Sequence, residues 1–209
     1  MPRYEVAPTR TNLLRLKSDL SFANEGYEML EQKREILVTE LKRFMARAIE
    51  AQRKVDEELA KAFSALKEAE LARGISALSS AARAVNIEAD VSLKERRIMG
   101  VAIPAVEFSL KQNAPYYGPQ ASSVWTDEGV LRFKNALTVI AALAESRISV
   151  VRLAREIQKT MRRVNALEKI FIPDYKETIA YVADSLEASD REAFFILKLI
   201  KDRLEPRKE

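Results

Sequence analysis

Leu13, Leu16, Leu20, Ala23, Tyr27, Leu30, Leu37, Leu41, Phe44, Ala48, Ala51 and Val55 follow one another in alternating steps of three and four, with Arg34 the one interruption. An α-helix turns once in 3.6 residues, so this spacing holds one apolar stripe along one side for about twelve turns. A seven-residue repeat sustained that long closes against another helix as a left-handed coiled coil, not against a globular core. The chain is thereby committed to one long helix, and a matching seam has to exist elsewhere.

Thr9 or Thr11 can cap this helix, a hydroxyl accepting a free N–H of its first turn. After Val55 the stripe shifts to Leu59, Ala62 and Leu66, a stutter that locally unwinds a supercoil. Gly74 is a natural stop. From about Thr11 to Ala72, at ~1.5 Å per residue, the helix would be roughly 90 Å long, a rod. The matching seam is predicted in a second long helix starting near Ser123 to Thr126. Its expected row is Phe133, Leu137, Ile140, Ala144, Ile148, Val151, Ala154, Ile157, Met161, Val164 and Leu167. Laid against each other, the two give an antiparallel two-helix coiled coil, and the chain is mainly α. Segment 1–72 is the N-terminal helix, 73–122 the central connection and 123–209 the C-terminal helix, with a break near Pro173 and a terminal helix restarted by the capping-box spacing of Ser189 to Glu192.

The connection departs from the helical period. Ile75 to Val85 suits a short helix. Val85, Ile87, Ala89 and Val91 then alternate with polar residues, the two-residue period of a strand. Val101 to Phe108 is a second β-rich run, and Pro104 in it suits an edge or a bulge. With Arg96 to Gly100 between them and Gly100 supplying the turn, these runs predict a short β-hairpin at about 85–108. Lys111 to Ser123, with Pro115, Gly118 and Pro119, reads as a loop.

Composition narrows the function. The chain of 209 residues has no Cys and no His, so disulfides, thiol nucleophiles and the commonest general base are absent. Five glycines form no phosphate-cradling motif. No cofactor is implied, acidic residues spread along solvent faces do not converge, and no run is long and apolar enough to span a bilayer. Net charge is only +4. The basic residues cluster, however, with Arg3, Arg10, Arg15 and Lys17 at the start and Arg147, Arg152, Arg155, Lys159, Arg162 and Arg163 on the second helix. A nucleic-acid binder could use such a face, but no stacking platform or known module accompanies it.

Met161 to Lys176 is where the second helix changes character. Arg162 and Arg163 stand beside the row of Val164, Leu167 and Phe171, and Pro173 follows. One reading is a helix end with a solvated arginine pair. The other is a family signature. Arg162-Arg163-Val164-Asn165-Ala166-Leu167-Glu168, with Ile172-Pro173 and Thr178-Ile179, resembles the C-terminal block of the D subunit of V-type and A-type rotary ATPases. Pro8-Thr9-Arg10 with Leu13-Leu14 and Leu16-Lys17, Gly26 with Leu30, Lys33-Arg34 and Leu37, Met99-Gly100-Val101 with Pro104, and Phe194-Phe195 with Leu197-Lys198 and Ile200-Lys201 resemble further blocks in the family's order. The resemblance covers nearly the whole chain and is loosest in its central third.

It implies a non-catalytic central shaft, or rotor stalk, that carries torque between the ATP-handling head and the membrane ring. The end holding both termini would sit inside the hexamer of A and B subunits, where the basic clusters would suit an acidic or polar sleeve. The connecting end would face a socket subunit above the rotor ring, and the small α/β F subunit would pack on the shaft's side. The hairpin would influence ATPase activity, and the protein would be cytoplasmic, peripheral to the membrane and not inserted in it. The candidate partner-binding residues are Arg10, Arg155, Arg162 and Arg163 from the basic clusters, Asn165 and Glu168 from the signature, and Met99 and Gly100 at the turn. A helical scaffold or spacer without a motor role is the alternative.

Overall fold

A computed structural model describes residues 4, 6–85, 88–111 and 123–204. Their order is α1 (Arg10–Arg73), α2 (Ile75–Ala84), β1 (Ala89–Ile98), β2 (Val101–Leu110), α3 (Val124–Ala166), a π-helical segment (Leu167–Phe171) and α4 (Ile172–Leu204). The loop expected between Lys111 and Ser123 and the stop at Pro206 lie outside the described residues. The chain forms two compact units, one of Ile36–Ile157 and the other of the residues before and after it.

α1 is 64 residues long and follows the predicted stripe throughout. Every member from Leu13 to Val55 is buried or half-buried, as are Leu59, Ala62 and Leu66 after the stutter. Thr9 is the cap, its Oγ1 accepting the N–H of Asn12 at 3.2 Å. Arg34 is tolerated in the stripe because its guanidinium folds back on Glu31, Nε donating to Oε2 at 2.9 Å. That hydrogen bond, and then the charge of Glu31, hold the Arg34 pKa above its ordinary value. Gly74, at φ 78°, turns the chain out of α1 into α2, in a left-handed conformation that glycine adopts without strain.

In the unit of Ile36–Ile157, α3 packs closely along α1, antiparallel to it. Leu37 and Phe44 of α1 form a core with Leu153 and Ile157 of α3 and with Val101 and Ile103 of β2. Farther along, Phe63 meets Phe133 edge-on at 5.6 Å. The α3 seam differs from the predicted row. Phe133, Ile157, Val164 and Leu167 do turn inward, but Leu137, Ile140, Ala144, Ile148, Val151, Ala154 and Met161 are exposed. The fully buried positions of α3 include Ala136, Ser149, Leu153 and Thr160 beside Ile157 and Val164, so small side chains share the buried face with large ones. A buried Ser fits because its hydroxyl is satisfied within the helix, Ser149 Oγ donating to the carbonyl of Glu145 at 2.7 Å.

The other unit buries Leu16 and Ala23 of α1 with Val164, Thr178 and Val182 on the C-terminal side. Pro173 does not end the helix. Proline has no N–H to return to the carbonyl four residues back, and its ring presses on that carbonyl. The preceding turn widens instead, and the N–H of Ile172 reaches the carbonyl of Leu167, five residues back. α4 then runs unbroken to Leu204. The predicted restart at Ser189 does not occur, because α4 is already helical from Ile172 and needs no new cap there; the neighbouring Asp190 accepts from Arg10 Nη2 through Oδ2 at 2.9 Å. Before α1, Tyr4 stacks on Tyr175 with ring centres 5.2 Å apart.

The hairpin pairs Ala89–Ile98 with Val101–Leu110, antiparallel, from Ile98↔Val101 outward. Arg96, Arg97 and Ile98 thus belong to β1, where the connection between strands was expected. The turn is Met99-Gly100 alone, with φ of 48° and 82°. Two positive φ values make the tight turn whose twist matches a hairpin.

Candidate functional site

Arg162, Arg163, Asn165 and Glu168 are all exposed on the last turns of α3 and the start of the π segment, and none makes an ion pair among the described residues. Neighbouring residues point about 100° apart. The two guanidiniums therefore spread over a wide arc and do not converge on one small target. Arg10 lies elsewhere in the same unit, held to Asp190, at roughly 30 Å of helix rise from Glu168. Arg155 is exposed and falls in the other unit. Arg10, Arg162 and Arg163 are thus exposed candidates of one unit, and Arg155 is an exposed candidate of the other.

Met99 and Gly100 occupy the hairpin tip. A left-handed Met is unusual, since its Cβ crowds the backbone at a cost of about 1–2 kcal/mol. Asn or Gly would suit the turn better, so turn chemistry does not account for an exposed Met here.

The hairpin is fastened to α3 along one edge. Hydrogen-bonded and non-bonded pairs alternate in an antiparallel ladder. The bond from Lys111 N–H to the carbonyl of Glu88, 3.0 Å, fixes the phase. Ala102, Pro104 and Val106 then present their backbone groups outward from β2. The Ala102 carbonyl accepts from Arg152 Nη1 at 2.9 Å, and the Val106 N–H donates to Glu145 Oε2 at 2.9 Å. Pro104, having no N–H, presents no outward donor between them, only its carbonyl.

Three exposed apolar surfaces were not anticipated. Beyond Asp190, α4 carries Phe194, Phe195, Ile196, Leu197, Leu199 and Ile200, all exposed. Six apolar residues in seven consecutive positions surround a helix on every side. The signal was in the sequence, as an apolar run with no 3.6-residue period. The second surface is the misassigned α3 row, with Leu137, Ile140, Ile148 and Val151 exposed at heptad spacing. The third gathers at the turn-around of the connection. Leu71, Ile75, Val124 and Trp125 are exposed there, and Trp125 also lines an apolar cleft of about 350 Å³ with Leu66, Leu78 and Phe133.

The family model for the ATP synthase D subunit matches residues 12–202. An A-type ATP synthase D subunit of Thermococcus sibiricus is 38% identical over 204 residues, 96% of this chain and 95% of the relative. The A-type ATP synthase D subunit of Pyrococcus furiosus is 36% identical, covering 97% and 96%. A V-type ATP synthase D subunit of Thermotoga neapolitana is 35% identical, covering 95% and 98%.

The chain belongs to the ATP synthase D-subunit family. The match embraces the described helices almost end to end and the whole hairpin, so Arg155, Arg162 and Arg163, the fastened hairpin and the three apolar surfaces all lie within the matched residues, while Arg10 precedes them. Among the described residues of this D subunit, no group of three or more carboxylates could hold a metal ion, and no helix is long and apolar enough to cross a membrane.

Proposed function

We propose that this D subunit is the central shaft of a rotary ATPase, carrying torque between a catalytic head of A and B subunits and the membrane ring, itself without catalytic activity. The observation that carries the reading is the overhang of α4. Arg10, the first residue of α1, is paired with Asp190, and beyond it α4 presents apolar side chains on all sides from Phe194 to Ile200. An exposed apolar surface of this kind marks a contact surface, and one that encircles a helix calls for a surrounding sleeve. A ring of head subunits provides one. The sleeve at this tip would be apolar, and the acidic or polar lining suggested by charge clustering would apply to the arc of Arg162 and Arg163.

The other surfaces support the remaining partners. The heptad row on α3 suits a helix of a small side subunit, the role of the F subunit, because heptad-spaced apolar residues are what a further helix packs against. The apolar turn-around with its cleft suits a socket subunit above the rotor ring. The protein then works in the cytoplasm, peripheral to the membrane, as part of a membrane-bound complex.

The test is rotation. With the A and B hexamer held on a surface and a bead attached to the shaft, ATP should drive stepwise turning. Replacing Phe194, Phe195, Leu197 and Ile200 with Ser should change the free protein's melting little, because these side chains are largely exposed among the described residues, while hexamer assembly or torque falls. Normal torque with the serine variant would refute the sleeve, and a bead that never turns in an ATP-hydrolysing complex would refute the shaft.

A further inference from the structure

The two outer edges of the hairpin are treated differently. That of β2 is held at two positions, with Arg152 on the Ala102 carbonyl and Glu145 on the Val106 N–H, and Pro104 between them offers no donor. On β1, the same alternation turns the N–H and carbonyl groups of Ala89, Val91, Leu93, Glu95 and Arg97 outward. These backbone groups have no partner among the described residues, and the whole stretch from Ala89 to Arg97 is exposed. A strand edge left open over five outward positions is a template for another strand, and proteins ordinarily blunt such edges.

Its side chains specify what would fit. Arg96 and Arg97 stand next to the tip and make no ion pair among the described residues, whereas Lys94 is already paired with Glu107. Val91 and Leu93 follow, more than half exposed, on the sheet face that β2 continues with Val106 and Phe108. Asp90 lies at the far end. An added antiparallel strand would set acidic residues against the arginines, apolar ones against Leu93 and Val91, and a basic one against Asp90. We infer that the free edge of β1 is a strand-addition site for an extended segment of another protein, acidic where it passes the hairpin tip and apolar at alternate positions beyond it. Backbone bonding supplies affinity in such sites, and the flanking side chains supply selectivity.

The test uses the full-length protein and a capped synthetic peptide, Glu-Glu-Thr-Glu-Val-Thr-Val-Lys-Thr, which places its first residue opposite Arg97. Titration followed by backbone amide NMR should give saturable shifts and slowed exchange confined to Ala89, Val91, Leu93, Glu95 and Arg97. Leu93→Pro removes one outward donor without touching the β1–β2 ladder, and Pro104 shows that such a position accepts proline. That variant, and the double variant Arg96→Glu with Arg97→Glu, should each weaken binding at least tenfold. A peptide N-methylated on its edge-facing amides should not bind. Absence of saturable binding at millimolar peptide would overturn the inference. So would binding indifferent to N-methylation and to Leu93→Pro, which would mean charge attraction alone. Concentration-dependent dimers in sedimentation that are lost with Leu93→Pro would overturn it in favour of a second copy as the occupant.

Discussion

The attachment of β2 to α3 makes a quantitative prediction. Glu145 Oε2 accepts the Val106 N–H at 2.9 Å in a half-buried setting. A hydrogen bond to a charged group contributes about 1.5–3 kcal/mol, and partial exposure puts this one at the low end. Glu145→Ala deletes it, so local opening at Val106 should become easier by about 1.5 kcal/mol, or roughly tenfold in amide exchange rate. Glu145→Gln keeps a neutral acceptor and should cost about 0.5 kcal/mol, a two- to threefold change. Arg152→Ala alone should act weakly, about 0.5 kcal/mol, because its bond to the Ala102 carbonyl is exposed. The two bonds clamp one strand, so the double variant need not be additive. Native-state hydrogen exchange supplies its own control. The amides of Ile103 and Ala105 face inward across the ladder to Arg96 and Lys94 and should keep their protection. Unchanged exchange at Val106 would refute the assignment. Equal acceleration at Ile103 and Ala105 would also refute the edge-specific argument, since Glu145 would then be holding the hairpin as a whole.

Replacing Arg162 and Arg163 together with Gln should alter stability by less than about 1 kcal/mol, since both are exposed and make no ion pair among the described residues, yet lower the ion-to-ATP coupling ratio of the assembled motor; a collapsed melting temperature with normal coupling would make them structural. Changing Leu137, Ile140, Ile148 and Val151 to Ser should lower the melting of the free protein, since each is still more than half covered, but leave it folded and abolish co-purification of a small side subunit, and intact co-purification would count against that surface. Met99→Asn should stabilise the hairpin by up to about 1 kcal/mol by relieving a left-handed Met, which slower exchange at Ile98 and Val101 would report. Burial, and then the charges of Tyr175 and Asp174, raise the Tyr4 pKa above 10.0. A raised pKa adds stability that is present below the unfolded value and lost as pH climbs through the folded one, so the Tyr4–Tyr175 contact should hold at pH 9 and loosen above about 10, visible as ring shifts of Tyr175.

What could be read from the residues follows from how much each depends on its own chain neighbours. The α1 stripe was legible because large apolar residues recur at strict spacing, and no alternative face competes with them. On α3 the same rule selected Leu137, Ile140, Ile148 and Val151, the most regular large residues available, whereas the seam uses Ala136, Ser149 and Leu153. The period was sound; what failed was the assumption that a helix has a single apolar stripe. Here α3 carries two, and sequence periodicity cannot rank the stripe buried within the chain above the one left exposed. The hairpin shows the same division of information. Its existence was legible from the change of period and from Gly100, but its register was not. Arg96 and Arg97 read as turn residues until Met99 is found to adopt a positive φ, which moves the turn to two residues and draws both arginines into the strand.

Pro173 and the α4 tip extend this argument to function. A proline usually marks a helix boundary from sequence alone, and only the widened turn over Leu167–Phe171 lets the axis continue into α4. That continuation matters mechanically if the protein turns inside a ring. A terminal helix joined by a flexible break would swivel without passing on torque, while the π turn keeps the backbone helical up to and beyond Pro173 although the proline itself donates no hydrogen bond. The candidate arginines sit immediately before this segment and the apolar tip comes after it, both on one continuous helical path. A two-residue Gly insertion after Phe171 therefore separates two readings. If the path carries torque, the insertion should leave the head assembled and ATP hydrolysis running while ion transport falls. If instead the tip merely anchors the shaft, transport should survive the insertion, and the mechanical role of the π turn would be refuted.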